Sequence, residues 1–317
     1  MASQYHSASM GSGVAWLFPG QGSQTVGMGR ELAEKYPSAA RAFEEANEAL
    51  GFDLRRLCWE GPQSELDRTA NTQPALLTAS IAALRAAEEA AGGLDEPVVA
   101  MGHSLGEFSA LVAAGALALA DAVVLVRRRG ELMQEADPSG GMLAVIGLDS
   151  ERVATALAGT GLVVANDNAP GQVVISGPKD GFDRGTAALR AAGAKRVIPL
   201  RTSAAFHSPA MRPVGPQLAK AIEVTPFKAL RYRIVANVDA QVHEHAADFP
   251  SLLEKQVWSA VQWVASMRRA HGEGATAFVE FGPSSVLTGL AKRILPEVRA
   301  ANVSDVKTLE EALDVLR

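Results

Sequence analysis

A serine between two glycines is the first candidate for chemistry in this sequence. Residues 102–106 read Gly-His-Ser-Leu-Gly; they follow the apolar run VVAM and precede a stretch with helical periodicity. A G-x-S-x-G sequence between a strand and a helix is typical of a nucleophile elbow, in which the serine hydroxyl projects above the edge of a sheet. The first N–H groups of the helix would face a developing oxyanion. Ser104 is therefore a candidate nucleophile, and a plain glycine-serine loop is the alternative.

His207 is the best candidate for a base that activates Ser104. It lies in TSAAFHSP, residues 202–209, directly after residues 141–200, whose pattern of strands and helices differs from that of the rest of the chain. His6 lies in a polar leader and His103 adjoins the serine. Three more histidines lie in polar surroundings that we expect to be exposed: His243, His245 and His271. A lone histidine is more often structural, so its position after that unit is what favours His207.

Three consecutive arginines, Arg127, Arg128 and Arg129, lie in a stretch with helical periodicity at residues 121–134. Successive helical residues point about 100° apart, so at least one of these guanidinium groups must turn toward the protein. A buried guanidinium needs an anionic partner. That partner is either a carboxylate of the fold itself or the anionic end of a ligand.

The composition is that of an ordinary globular protein. The 317 residues are 48% hydrophobic and 21% charged, with a formal net charge of −5. Together with the lack of a basic run long enough to suggest a stripe that tracks phosphates, this charge argues against a nucleic-acid partner. No stretch approaches the roughly 20 apolar residues of a membrane helix, so we expect no membrane association. Cys58 is the only cysteine, so no internal disulfide can form; we interpret it as structural and expect a cytoplasmic protein.

The strand and helix patterns predict an α/β fold. VAWLF at residues 14–18 predicts a buried strand that runs into a glycine-rich loop, and such loops form ligand sites at the edge of a sheet. The loop lacks the spacing and the lysine of a phosphate-binding loop. Helical patterns follow at residues 27–36 and 40–50, and a third, alanine-rich one begins after a loop at residues 71–74.

Residues 141–200 change to a β-α-β-β-α-β pattern, the order of a ferredoxin-like unit. We therefore predict an α/β-hydrolase-like large domain with a parallel sheet, formed by residues 14–136 and 204–317. A ferredoxin-like small subdomain at residues 137–203 would be inserted into it, and residues 1–13 would form a disordered leader. The groove between the two units would lie over Ser104.

Six motifs in the sequence resemble those of malonyl-CoA:acyl-carrier-protein transacylases, the enzymes that load malonyl groups for fatty acid synthesis. The motifs are FPGQGSQ, GHSLGEFSAL, the arginine of RRRGELMQEA, NDNAPGQVVISG, AFHSPAM and VEFGPSSVLTGLAKR. They occur in the family's order, and the resemblance covers nearly all of residues 14 to about 293. The resemblance implies transfer of malonyl from malonyl-CoA to the phosphopantetheine thiol of acyl carrier protein, through a serine-linked malonyl-enzyme. It implies no metal and no bound cofactor, and we expect a monomer.

The resemblance also implies roles for the candidate residues. Ser104 would be the nucleophile, His207 its base, and Arg129 the group that binds the free carboxylate of malonyl. The backbone N–H groups of Gln21 and Leu105 would form the oxyanion hole. This set agrees with the chemistry of a thioester that carries a free carboxylate, because an arginine can bind a carboxylate through two parallel bonds.

Four supporting residues complete the implied site. Gln256 would orient His207 through its main-chain carbonyl, which can fix the imidazole tautomer without an aspartate. Gln73, in the NTQPA loop, and His103 would lie at the pocket. In related acyltransferase domains a phenylalanine before the histidine accompanies malonyl and a serine accompanies methylmalonyl, so Phe206 would exclude substituted malonyl groups.

Three alternatives remain open. A transacylase of this kind could instead load the carrier of a polyketide synthase or of a malonate decarboxylase. A serine thioesterase or other hydrolase would share Ser104 and His207 but would have no use for a buried carboxylate-binding arginine. A non-catalytic carrier-binding module would need neither residue.

Overall fold

The computed structural model describes residues 13–136 and 139–316. The predicted leader, apart from Gly13, and the first two residues of the predicted subdomain lie outside the described residues. The strands are β1 (Val14–Phe18), β2 (Val99–Gly102), β3 (Gly140–Ile146), β4 (Val163–Ala169), β5 (Gln172–Pro178), β6 (Arg196–Pro199), β7 (Ile234–Val235), β8 (Val242–His243), β9 (Ala277–Phe281) and β10 (Arg299–Val303).

The α-helices lie between and after these strands. They are α1 (Arg30–Lys35), α2 (Pro37–Leu50), α3 (Leu54–Glu60), α4 (Gln63–Leu66), α5 (Thr69–Ala91), α6 (Gly106–Ala113), α7 (Leu119–Glu135), α8 (Ser150–Ala156), α9 (Phe182–Ala191), α10 (Gly215–Glu223), α11 (Phe249–Gln256), α12 (Trp263–Gly272), α13 (Val286–Ile294) and α14 (Val306–Leu316). Within the described ranges, no helix is both long enough and apolar enough to cross a membrane.

A six-stranded sheet carries the candidate site. Its order is β10-β9-β1-β2-β7-β8, and all neighbours are parallel except β8, which runs antiparallel to β7 at the edge. Every residue of β1 is buried, because both faces of the sheet are covered. Val14, Trp16 and Phe18 belong to the core on the side of α2, α5 and α7, whereas alternate residues belong to the core on the side of α12 and α13.

A second, four-stranded sheet is formed between β2 and β7 of the chain. Its order is β4-β5-β3-β6 with all neighbours antiparallel, and helices α8 and α9 connect its strands in the order β-α-β-β-α-β. It has its own apolar core, which includes Leu143, Val145, Val153 and Leu189. A bridge between Asn166 and Val261 joins β4 to the loop before α12 of the larger unit.

Helix α5 corrects one prediction. The sequence predicts a loop at residues 71–74, but the helix begins at Thr69 and includes Pro74, which has no N–H to donate. In a regular helix, the carbonyl of Ala70 accepts a hydrogen bond from the N–H of residue 74, which a proline lacks. It accepts instead from the Arg127 guanidinium of α7, at 3.2 Å. A tertiary contact therefore satisfies the carbonyl that the proline leaves free.

Some other boundaries also differ. The helix predicted at residues 27–36 begins at Arg30. A 3-10 turn at Pro209–Val214 precedes α10. The sequence analysis missed α3, α4, β8 and β10. Each of these is short or half-exposed, so its hydrophobic period is weak.

Candidate active site

Ser104 lies in a sharp turn between β2 and α6. Its φ is +52°, a left-handed conformation that is strained for a residue with a side chain. The turn is tight because two glycines allow close backbone contact: a Cβ on Gly102 would lie 1.9 Å from the backbone of Gly106, and a Cβ on Gly106 would lie 2.0 Å from the carbonyl oxygen of Phe18. The N–H of Ser104 donates to Oδ1 of Asn237 at 2.7 Å, which holds the strained turn.

His207 lies against the serine. Its Nε2 is 2.8 Å from Ser104 Oγ, and its Nδ1 lies 2.9 Å from the carbonyl oxygen of Gln256 and 3.1 Å from that of Ser259. Because carbonyls only accept, Nδ1 carries the proton and Nε2 is free to accept from the serine hydroxyl. Burial, and then the charge on Arg129, lower the pKa of His207 to about 3, so the imidazole is neutral near neutral pH.

Arg129 is the arginine of the run that turns inward. Its guanidinium is 1% exposed and donates to the side-chain oxygens of Gln73 and Gln256, both at 2.9 Å, and to Ser104 Oγ at 3.3 Å. Burial lowers its pKa to about 10, and the nearby charge of Glu107 opposes that shift. In the part of the chain that the structure describes, no carboxylate lies within 4.0 Å of this guanidinium. Its hydrogen-bond partners are neutral.

The other two arginines of the run form ion pairs with a glutamate of the same helix. Arg127 and Arg128 both pair with Glu131, at 2.9 and 3.5 Å, on the outer side of α7. The sequence left open whether the inward arginine pairs with a carboxylate of the fold or with a ligand. The geometry leaves Arg129 available for a ligand.

The glycine-rich loop after β1 lies over the elbow. A Cβ on Gly20 would lie 2.3 Å from the carbonyl oxygen of His103, so the two loops touch through their backbones. This contact brings the N–H groups of Gln21 and Leu105 to the same end of the sheet, and neither donates to an acceptor within residues 13–136 or 139–316. The side chain of Gln21 donates to Thr69 at 3.3 Å.

A cavity of about 350 Å³ opens above Ser104, between the two sheets. The larger unit and the segment after β6 supply most of its wall: Gln21, Gly22, Gln24, Asp67, His103, Ser104, Leu105, Arg129, Met133, Leu200, Arg201, Thr202, Phe206 and His207. The small sheet contributes Met142 and Asn166. Gln73, which the sequence placed at the pocket, and Gln256 lie behind Arg129 instead, each 1% exposed.

His103 and Phe206 both line the cavity but differ in their contacts. The Nε2 of His103 is 2.8 Å from Oδ1 of Asn168 on β4, and its ring centroid is 5.4 Å from that of Trp263. His103 therefore ties the elbow to the small sheet, and burial lowers its pKa. Phe206 is 5% exposed and lines the cavity next to His207.

The sequence analysis missed two buried residues of the site. Asn237, just after β7, donates from Nδ2 to the carbonyl of Gly102 at 2.7 Å and accepts from Ser104. Glu107, in the first turn of α6, accepts from the N–H of Asn237 at 2.8 Å and from Nε2 of Gln256 at 3.1 Å. The signal available for Glu107 was a glutamate within the apolar helical stretch that follows Ser104, whereas Asn237 carried none.

Comparison with known proteins identifies the family. Residues 15–311 match the acyl transferase domain family. The malonyl CoA-acyl carrier protein transacylases of Bacillus subtilis and of Escherichia coli K12 are each 44% identical to this chain, over 96% and 95% of it and 98% and 99% of their own lengths.

Solved structures agree with these relatives. An acyl carrier protein S-malonyltransferase from Vibrio cholerae superposes with a TM-score of 0.91 at 41% identity, covering 94% of this chain and 99% of that chain. A malonyl-transacylase in complex with its holo type II PKS acyl-carrier protein gives a TM-score of 0.91 at 41% identity, covering 95% and 99%. The chain therefore belongs to the malonyl CoA-acyl carrier protein transacylases of the acyl transferase domain family.

Proposed function

We propose that this chain transfers a malonyl group from malonyl-CoA to the phosphopantetheine thiol of acyl carrier protein, for fatty acid synthesis, through a malonyl ester on Ser104. One observation carries the proposal. The hydroxyl of Ser104 lies 2.8 Å from a neutral imidazole and 3.3 Å from a buried guanidinium whose hydrogen-bond partners are neutral. The serine and histidine together suit acyl transfer, and the Arg129 guanidinium suits an acyl group that ends in a carboxylate.

The acylation step follows from the geometry. Ser104 Oγ attacks the thioester carbonyl while its proton moves to Nε2 of His207, 2.8 Å away. The N–H groups of Gln21 and Leu105 would donate to the oxyanion. The C–S bond then breaks, the imidazolium returns its proton to the sulfur of coenzyme A, and malonyl remains as an ester on the serine.

The return step uses the same groups in reverse. The thiol of the carrier gives its proton to His207 Nε2, its sulfur attacks the ester carbonyl, and Ser104 Oγ leaves and is protonated by the imidazolium. A malonyl carboxylate against Arg129 would offset part of the charge that lowers the pKa of His207. The bound substrate would therefore make its own base more basic, which a neutral acetyl group would not do.

The architecture and setting belong to the same proposal. We interpret the six-stranded unit as α/β-hydrolase-like and the four-stranded unit, with its order β4-β5-β3-β6, as a ferredoxin-like subdomain that closes the cavity. The proposed chemistry uses Ser104, His207 and Arg129 of a single chain, so it requires neither a residue from a second copy nor a cofactor, in keeping with a functional monomer. The buried lone Cys58 supports a reducing, cytoplasmic location.

One comparison supports a second candidate function, the loading of a polyketide carrier protein. A structural relative at 41% identity is in complex with a type II PKS acyl-carrier protein, so the same fold also serves a polyketide carrier in that protein. The site geometry concerns the acyl group and does not distinguish the two carriers. A comparison of transfer rates to holo-carriers from fatty acid and polyketide systems separates these uses.

Intact-mass measurement tests the proposal. Wild-type protein mixed with malonyl-CoA should gain one malonyl mass, and it should lose that mass to holo-acyl carrier protein faster than to water. Ser104→Ala should gain no mass. An adduct on Ser104→Ala, or release of free malonate at the same rate with and without carrier, would contradict the transacylase and favour a different nucleophile or a hydrolase.

A further inference from the structure

A buried glutamate outside the reacting set has no cation beside it. Glu107 is 0% exposed, and within the described ranges no lysine or arginine nitrogen lies within 4.0 Å of its carboxyl group. Oε2 accepts from the Asn237 N–H and from Gln256 Nε2, whereas Oε1 is buried without a partner. Burial of an unpaired carboxyl group destabilises the folded protein, so we expect Glu107 to have a role in the site that offsets this cost.

The side chain of Gln256 connects this carboxyl group to Arg129. Its Oε1 accepts from Arg129 at 2.9 Å, and its Nε2 donates to Glu107 Oε2 at 3.1 Å and to the carbonyl oxygen of Ser104 at 3.0 Å. Reversal of this amide would place two N–H donors against the guanidinium and a lone-pair oxygen against the carboxyl group. The guanidinium therefore fixes the orientation of this amide from one side, and Glu107 and the Ser104 carbonyl fix it from the other.

This arrangement separates Arg129 from its countercharge by one neutral amide. The Glu107 carboxyl offsets part of the guanidinium charge, since it opposes the lowering of the Arg129 pKa, while burial raises the pKa of Glu107 itself to about 7. Its N–H donors nevertheless remain unblocked by a carboxylate, and its Nε is buried without a partner. A directly paired glutamate would compete with the carboxylate of a substrate for the same donors.

We propose that Glu107 is a positioning residue that acts through the Gln256 amide to hold Arg129 ready for the terminal carboxylate of the acyl group. Glu107 does not touch the substrate; it sets the selectivity for dicarboxylic acyl groups. This inference rests on the proposed function, because it assumes that Arg129 receives that carboxylate. The main-chain carbonyl of Gln256, which accepts from His207, is not part of the effect.

The experiment compares two acyl donors in single-turnover acylation, followed by intact mass. Malonyl-CoA carries the carboxylate, whereas p-nitrophenyl acetate, an activated ester, tests Ser104 and His207 alone. In Glu107→Gln, kcat/KM for malonyl-CoA should fall by about 10- to 100-fold, the range for a lost hydrogen bond to a charged group, chiefly through KM. The reaction with p-nitrophenyl acetate should change by less than about threefold on the same reasoning.

Two controls keep the result specific. Glu280→Gln alters another fully buried carboxyl, which is held by Ser284 and Thr288, and it should leave the ratio of the two substrates unchanged. Gln256→Met removes the amide and keeps the main-chain carbonyl. If Glu107 acts through that amide, Glu107→Gln should add no further loss in the Gln256→Met background.

Several results would overturn the inference. Equal losses with both donors in Glu107→Gln would make Glu107 a residue that only supports the fold, as would additive losses in the double variant. An unchanged ratio in Glu107→Gln would also exclude it. A wild-type protein that forms no malonyl adduct would instead refute the proposed function, so the two failures are distinguishable.

Discussion

Replacing Arg129 by alanine should convert a malonyl-selective site into one that no longer distinguishes malonyl from acetyl. The guanidinium is the only arginine or lysine group at hydrogen-bond distance from Ser104 Oγ within the described residues, at 3.3 Å. Acetyl-CoA presents no carboxylate to it. The variant should therefore lose acylation by malonyl-CoA and retain or gain acylation by acetyl-CoA.

The size of the loss follows from the donors that Arg129 has available. A guanidinium has five N–H donors, of which Gln73 and Gln256 each take one at 2.9 Å and Ser104 Oγ takes a third at 3.3 Å. Two further donors can bind one carboxylate side by side, and each hydrogen bond to a charged group is worth about 1.5–3 kcal/mol. Loss of both corresponds to about 3–6 kcal/mol, or roughly 10²- to 10⁴-fold in kcat/KM.

Single-turnover acylation with each thioester, read by intact mass, measures the effect. Arg128→Ala is the matched control, because Arg128 lies on the same helix but pairs with Glu131 at the surface. Thermal unfolding of both variants checks that the fold is kept. Equal losses with malonyl-CoA and acetyl-CoA in Arg129→Ala would refute the reasoning and assign Arg129 to the stability of the fold.

Three further predictions concern the base and its neighbour. His207→Ala should slow both acylation by malonyl-CoA and transfer to the carrier by about 10²- to 10⁴-fold in rapid-quench experiments, and an unchanged acylation rate would exclude His207 as the base. Phe206→Ser should raise kcat/KM for methylmalonyl-CoA relative to malonyl-CoA, since removal of the ring relieves a clash; a fixed ratio with both rates reduced would make Phe206 a packing residue. Because the pKa of His207 is about 3 in the folded protein and 6.5 ordinarily, the unfolded state binds more protons between these pH values, so the free energy of unfolding should fall as the pH drops below 6.5. Urea unfolding of His207→Gln should show a smaller fall over that range, and an equal fall would show that other groups control it.

The sequence predicted the parts of the site that depend on local pattern. The elbow at Ser104 combines a strand, two glycines and a helix within a short stretch, so its geometry follows from neighbouring residues. The β-α-β-β-α-β order was readable for the same reason. Periodicity also showed that one of three arginines must turn inward, but the choice of Arg129 came from the family resemblance.

The remaining parts depend on contacts between distant segments. Asn237 supports Ser104 across 133 positions of sequence, and Gln256 reaches Arg129 across 127. No local sequence pattern predicts such pairs, because each residue taken alone is an ordinary polar residue beside a strand or a helix. The same reason explains the error at Pro74, whose place in α5 depends on a guanidinium from another helix.

The central position of β1 has a consequence for biosynthesis. β1 is the first strand of the described residues, but one of its two neighbours in the sheet, β9, begins about 260 residues later. At about 5–20 residues per second, one edge of this wholly apolar strand waits roughly 10–50 s for its partner on the ribosome. An apolar strand with an open edge is a template for aggregation. During synthesis, one edge of VAWLF therefore lacks its strand partner until residues 277–281 have emerged.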